Sequence, residues 1–154
     1  MSRRALGAVF AVLLLLLTPP LFAEGDVGVG FILGNPTGFS MVIGDRITLG
    51  IGWGIANYLQ VNADAWVIDQ TLENDVDWHV GIGGKVKVFN ENTDLTENQR
   101  EADADLGAGI RFPVAVQYLL TERLELFGEA VPGVLVYPAF DLDIDVGLGL
   151  RYRL

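Results

Sequence analysis

The 154-residue sequence contains no cysteine, a single histidine (His79), and only 10 basic residues against 20 acidic ones. Without cysteine there is no disulfide framework, no zinc–thiolate centre, no thiol nucleophile and no lipoprotein attachment point. A formal charge of −10 and a pI near 4.3 leave no basic face for phosphates, so nucleic acid is not an expected partner. Disorder is excluded as well, because 51% of the residues are hydrophobic and the mean hydropathy is +0.38. Beyond the amino terminus no apolar run approaches the roughly 20 residues that a membrane helix requires. What the chain does have is glycine, 19 residues of it, and an acidic, apolar composition that needs a spatial explanation.

The amino terminus has the layout of a secretory signal peptide. Arg3 and Arg4 precede an apolar run over residues 5–17, and Leu21-Phe22-Ala23 supplies a cleavage position after Ala23. The apolar core is too short to favour the alternative, a retained membrane anchor. Residues 1–23 are therefore expected to be removed, leaving a single domain over residues 24–154. Maturation takes away two of the 10 basic residues and none of the 20 acidic ones, so the net charge becomes 8 − 20 = −12.

Period-two alternation runs through the mature chain. Near the carboxyl end Leu142, Ile144, Val146, Leu148, Leu150, Tyr152 and Leu154 share one parity, while Asp141, Asp143, Asp145, Gly147, Gly149, Arg151 and Arg153 share the other. A helix would scatter those aspartates around its circumference, and a two-faced strand segregates them. Similar alternation recurs upstream, separated by turn-forming stretches such as Gly34-Asn35-Pro36-Thr37, Gly44-Asp45-Arg46 and Thr121-Glu122-Arg123. Eight strands result, at about 26–34, 37–44, 46–54, 57–68, 76–88, 104–120, 124–137 and 140–154.

Eight such strands can close with the apolar face inside, as a soluble barrel, or outside, as a membrane barrel. The glycines discriminate. Gly28, Gly30, Gly50, Gly52, Gly54, Gly81, Gly83, Gly107, Gly109, Gly147 and Gly149 all lie on the polar parity. An eight-stranded barrel has barely enough interior for side chains, so the face with the small residues is the inner one. The bulky apolar face then points outward, which suits lipid. The expected fold is an all-β, eight-stranded antiparallel up-and-down transmembrane barrel in the outer membrane. An even strand count puts both termini on the periplasmic side. Outward Trp78, Tyr118 and Tyr152 fall near the periplasmic strand ends, and Phe39 and Trp53 near the external ends, as membrane-interface aromatics would.

The stretch Val29-Gly30-Phe31-Ile32-Leu33-Gly34-Asn35-Pro36-Thr37-Gly38 resembles the strand-turn-strand start of a family of small, largely uncharacterised bacterial outer-membrane barrels, structurally like the OmpA and OmpX membrane domains. Ala63-Asp64, Gly81-Ile82-Gly83-Gly84, Arg111-Phe112-Pro113-Val114 and Gly147-Leu148-Gly149-Leu150-Arg151-Tyr152 continue the resemblance in order. It implies a location and a fold and carries no catalytic residues. It also implies outer-membrane lipid, lipopolysaccharide and the barrel-assembly machinery as partners. One departure stands out: such barrels generally end in an aromatic residue, whereas this chain ends in Leu154, with Tyr152 the last outward aromatic.

The inward polar column is the main chemical feature. Lys85, Lys87, Arg111, Arg151 and Arg153 share the lumen with Asp64, Asp105, Glu125, Glu129, Asp141, Asp143 and Asp145. Antiparallel register sets Lys87 near Asp105, and Glu125 near Arg151 and Arg153. The column reads as a plug of ion pairs, since buried charges need partners, with a narrow ion path as the alternative. Asp141, Asp143 and Asp145 do not form a calcium loop: Val146 occupies the required glycine position and the distal glutamate is missing. Ser40 and His79, the only serine and histidine of the mature chain, fall toward opposite strand ends, beyond hydrogen-bond reach. No catalytic, cofactor-binding or metal-binding residue is expected. Loop 89–103, with five acidic residues and one arginine, reads either as a hydrated loop that repels neighbouring lipopolysaccharide charge or as the position for an extracellular ligand.

Overall fold

The computed structural model describes residues 27–44, 46–55, 58–72, 76–89 and 106–154. The expected signal peptide, and loop 89–103 apart from Phe89, lie outside these residues. Nine β segments follow one another: β1 (Val27–Asn35), β2 (Thr37–Ile43), β3 (Ile47–Gly54), β4 (Tyr58–Thr71), β5 (Val76–Phe89), β6 (Leu106–Arg111), β7 (Val114–Leu119), β8 (Leu124–Tyr137) and β9 (Asp141–Arg153). All pairings are antiparallel, and β9 pairs with β1 to close the sheet on itself.

Nine segments make eight barrel strands. β6 and β7 both pair with β5 on one side and β8 on the other, so they are halves of the single sixth strand expected at 104–120. The break falls at Phe112-Pro113, where proline has no N–H to give the ladder. Two backbone hydrogen bonds carry the sheet across it: Phe112 N–H donates to the Pro132 carbonyl at 2.8 Å, and Gly81 N–H donates to the Pro113 carbonyl at 2.9 Å. The fourth strand also runs on to Thr71, past the expected residue 68. A bulge between Trp66 and Ile68 leaves Val67 exposed, and beyond it Asp69 pairs with His79.

Registers around the barrel do not close level. A row of paired residues runs from Gly30 through Ser40, Gly50, Asn62, Lys85, Gly109 and Leu135 to Asp141. By the β1–β9 register, which sets Gly28 opposite Arg153, Asp141 would face position 40 of an extended β1. The offset from Gly30 is ten residues and corresponds to strands tilted by about 40°. One end of the barrel carries Val27, Arg153 and the β2–β3, β4–β5 and β7–β8 connections, and is called the terminal end below. The other, the loop end, carries the β1–β2, β3–β4, β5–β6 and β8–β9 connections.

The outward parity of every described strand is free of Asp, Glu, Lys and Arg. It exposes Val29, Phe31 and Leu33 on β1, Val114, Val116 and Tyr118 on β7, and Leu142, Ile144, Val146, Leu148, Leu150 and Tyr152 on β9. The inward parity carries the polar residues and the glycines, and there is no room for more. An added Cβ at Gly149 would lie 2.5 Å from the Phe127 ring, and one at Gly50 would lie 2.6 Å from Asn62 Oδ1. At Gly83 and Gly54 it would overlap the Asp64 carboxylate and the Tyr58 ring. Outward Gly84 is different, with no atom closer than 3.9 Å. Gly44, in the β2–β3 turn, has φ +57°, a left-handed conformation that glycine adopts without steric cost.

Candidate functional site: the barrel lumen

The lumen is filled in tiers. Nearest the terminal end, Glu125 on β8 is fully buried and faces two arginines of β9. Its Oε1 accepts from Arg151 Nη1 at 2.5 Å, and its Oε2 accepts from Arg153 Nη2 at 3.0 Å and Nε at 3.2 Å. Arg151 also sits over the Phe127 ring, with Cζ 3.9 Å from its centroid, and donates to Ser40 Oγ at 3.1 Å. The register seats Glu125 directly opposite Arg151, so this cluster follows from neighbouring strands.

A central tier is built around Arg111, the last residue of β6 and 1% exposed. Its guanidinium reaches three carboxylates on three other strands. Nε lies 3.0 Å from Asp64 on β4, Nη2 lies 3.5 Å from Glu129 on β8, and Nη1 lies 3.6 Å from Asp145 on β9. Asn62 Nδ2 donates to the other Asp64 oxygen at 3.0 Å. A cavity of about 20 Å³, room for about one water molecule, lies beside this tier and is lined in part by Ser40, Thr48, Asn62, Arg111 and Glu129.

The third tier, toward the loop end, holds the only two lysines of the chain. Lys85 contacts Asp143 and, at 3.2 Å, Asp145, while Lys87 contacts Asp143 at 2.6 Å. Gln60 Nε2 donates to Asp145 at 3.1 Å. Above these charges sits an apolar cap of Tyr58, Phe89 and Leu135, all buried. The Tyr58 and Phe89 rings meet edge to face with centroids 6.3 Å apart, and Lys87 Nζ lies 4.1 Å from the Tyr58 centroid. Tyr58 OH donates to Asn35 Oδ1 at 3.0 Å.

Most of the charged residues expected in the lumen are thus brought into two connected groups: Asp64, Lys85, Lys87, Arg111, Glu129, Asp143 and Asp145 in one, and Glu125, Arg151 and Arg153 in the other. Asp141 lies at the loop end of β9, and Asp105 lies outside the described residues, so the expected Lys87–Asp105 pair does too. Tyr58, Gln60, Asn35 and the Ser40–Arg151 contact did not emerge from the sequence. A visible signal was that Tyr58 and Phe89 are large aromatics on a parity otherwise dominated by small and polar residues.

Ser40 and His79 have separate partners. Ser40 accepts from Arg151, whereas His79 Nδ1 faces Asp69 at 3.0 Å and its ring packs against Trp66, 4.9 Å between centroids. Among the described residues no cluster of histidine and carboxylates is arranged to hold a metal ion. The outward aromatics Trp53, Tyr118 and Tyr152 are exposed at strand ends, with Trp78 half-buried near the terminal end. Phe39 is exposed and packs edge to face on Phe31, 5.6 Å between centroids.

Fold and lumen together define a closed eight-stranded antiparallel barrel whose interior is occupied by its own ion pairs. The chain belongs to a protein family of unknown function, DUF3996, whose model matches residues 21–140, reaching through β8 and stopping before β9. No curated protein matches it.

Proposed function

We propose that this chain is an integral outer-membrane protein with a structural or surface-interaction role and no catalytic activity. The observation that carries this reading is the outward face: uninterrupted by charge around the described barrel and densely apolar. In water a continuous apolar surface of this extent invites aggregation, whereas in hydrocarbon it is the required exterior. The dimensions suit a bilayer. From Leu142 to Tyr152 the outward parity of β9 rises about 33 Å along the strand, or about 25 Å along the axis at a 40° tilt, matching the usual apolar band. Closure through β1 and β9 leaves the sheet as a whole without an open side, which hydrocarbon would not tolerate. The signal-peptide layout of residues 1–23 agrees with export, and the OmpA- and OmpX-like strand motifs agree with this destination.

Export to the outer membrane is tested by fractionating cells that express the chain and comparing migration of unheated and boiled samples on gels. Recovery in the outer-membrane fraction with heat-modifiable mobility supports the reading. Recovery as a soluble periplasmic monomer after gentle lysis contradicts it.

A further inference from the structure

The cap at the loop end differs in kind from the ion pairs beneath it. Tyr58 is the first residue of β4 and Phe89 the last of β5, and the two are directly paired. Both sit where a strand meets its connection, the positions at which local opening costs least. The Tyr58 ring lies over Gly54, where any side chain would occupy its place. One hydrogen bond tethers its hydroxyl, and the acceptor belongs to a different connection: Asn35 Oδ1, at the end of β1, which also accepts from Ile55 N–H at 3.3 Å. Below the ring lie Lys85 and Lys87, with side chains 0% and 5% exposed.

We propose that Tyr58, backed by Phe89, is a lid on the loop-end mouth, latched by Asn35, and that its displacement opens the Lys85–Lys87–Asp143 tier to that side of the barrel. With the lid in place the two lysine side chains are almost fully covered, while that of Asp143 keeps 17% exposure. The Glu125–Arg151–Arg153 cluster, at the other end, stays shut when the lid moves. This inference does not depend on where the barrel resides in the cell.

Lys85 and Lys87 are the only lysines in the sequence, so amine acetylation of the folded protein reads access to this tier without competing side chains. Folded protein, verified by circular dichroism, is treated with acetic anhydride, and the modified lysines are counted over time by mass spectrometry after digestion. In the parent protein both lysines should react far more slowly than after denaturation. Tyr58→Phe and Asn35→Ala remove the latch while keeping an apolar cap, and should speed acetylation by roughly two- to tenfold, the worth of one neutral hydrogen bond in an opening equilibrium. Tyr58→Ala should speed it further. Glu125→Gln, which loosens the opposite end, should leave the rate unchanged. Unchanged rates in both latch variants, or acceleration by Glu125→Gln in their place, would overturn the lid.

Discussion

Replacing Arg111 with methionine tests whether the lumen is a dry plug or a hydrated path. The side chain is kept at similar length while the charge that faces Asp64, Glu129 and Asp145 is removed. At 3.0 Å, the Arg111–Asp64 attraction is about 5.5 kcal/mol at an effective dielectric near 20, but only about 1.4 kcal/mol if bulk water fills the space. After desolvation, breaking a buried pair by deleting one partner typically costs about 3–5 kcal/mol. The central and upper tiers hold four acids (Asp64, Glu129, Asp143, Asp145) and three bases (Lys85, Lys87, Arg111), a surplus of one acid. Arg111→Met raises that surplus to two, and the double variant Arg111→Met/Asp64→Leu returns it to one. Reversible urea unfolding from lipid vesicles should therefore show a loss of about 3–5 kcal/mol for the single variant, with most of it recovered in the double. A loss below about 1 kcal/mol, with no recovery, would refute the plug, because pairs that weak are screened by water.

Three further outcomes follow from the same geometry. Gly149→Val should cost about 1–3 kcal/mol by driving a side chain into the Phe127 ring, whereas Gly84→Ala, facing open space, should change unfolding by less than about 0.5 kcal/mol; equal effects would contradict the facing of the strands. Leu148→Arg should cost about 2–4 kcal/mol if its position lies near the middle of a bilayer, and close to nothing if that face meets water. Planar bilayers containing the purified protein should show no discrete conductance steps, and steps that change on Lys85→Ala would instead favour a narrow ion channel.

The strands were legible because two independent signals coincide, an alternation of parity along each strand and a turn-forming stretch or a longer polar connection between strands. The glycine parity carried the further information of which face is crowded, and Gly83 under Asp64 and Gly149 under Phe127 show why. The sixth strand was expected unbroken over 104–120, and the structure divides it at Pro113, a residue without an N–H on the inward parity. The bulge at Val67 had no comparable marker. In the lumen, sequence register sets pairs on adjacent strands, which is how Glu125 meets Arg151. Asp64 and Arg111 are both in register with Gly83, so they meet over the one glycine between them, whereas Lys87 on β5 meets Asp143 on β9 across the lumen, a contact that pairing of adjacent strands does not set. Nor does it set the Asn35 latch, which joins one connection to the first residue of another strand.

The apolar exterior in contact with hydrocarbon is tested most directly by tryptophan quenching in vesicles made with brominated acyl chains. Trp53 is exposed and Trp78 half-buried on the outward parity, while Trp66 faces inward and donates to Thr48 Oγ1, so Trp66→Phe leaves only outward reporters in the described barrel. Strong quenching of the two remaining tryptophans by bromines on the acyl chains is the expected result. Emission unchanged by brominated lipid, with full quenching by an aqueous quencher such as acrylamide, would place this face in water and contradict a membrane-spanning barrel.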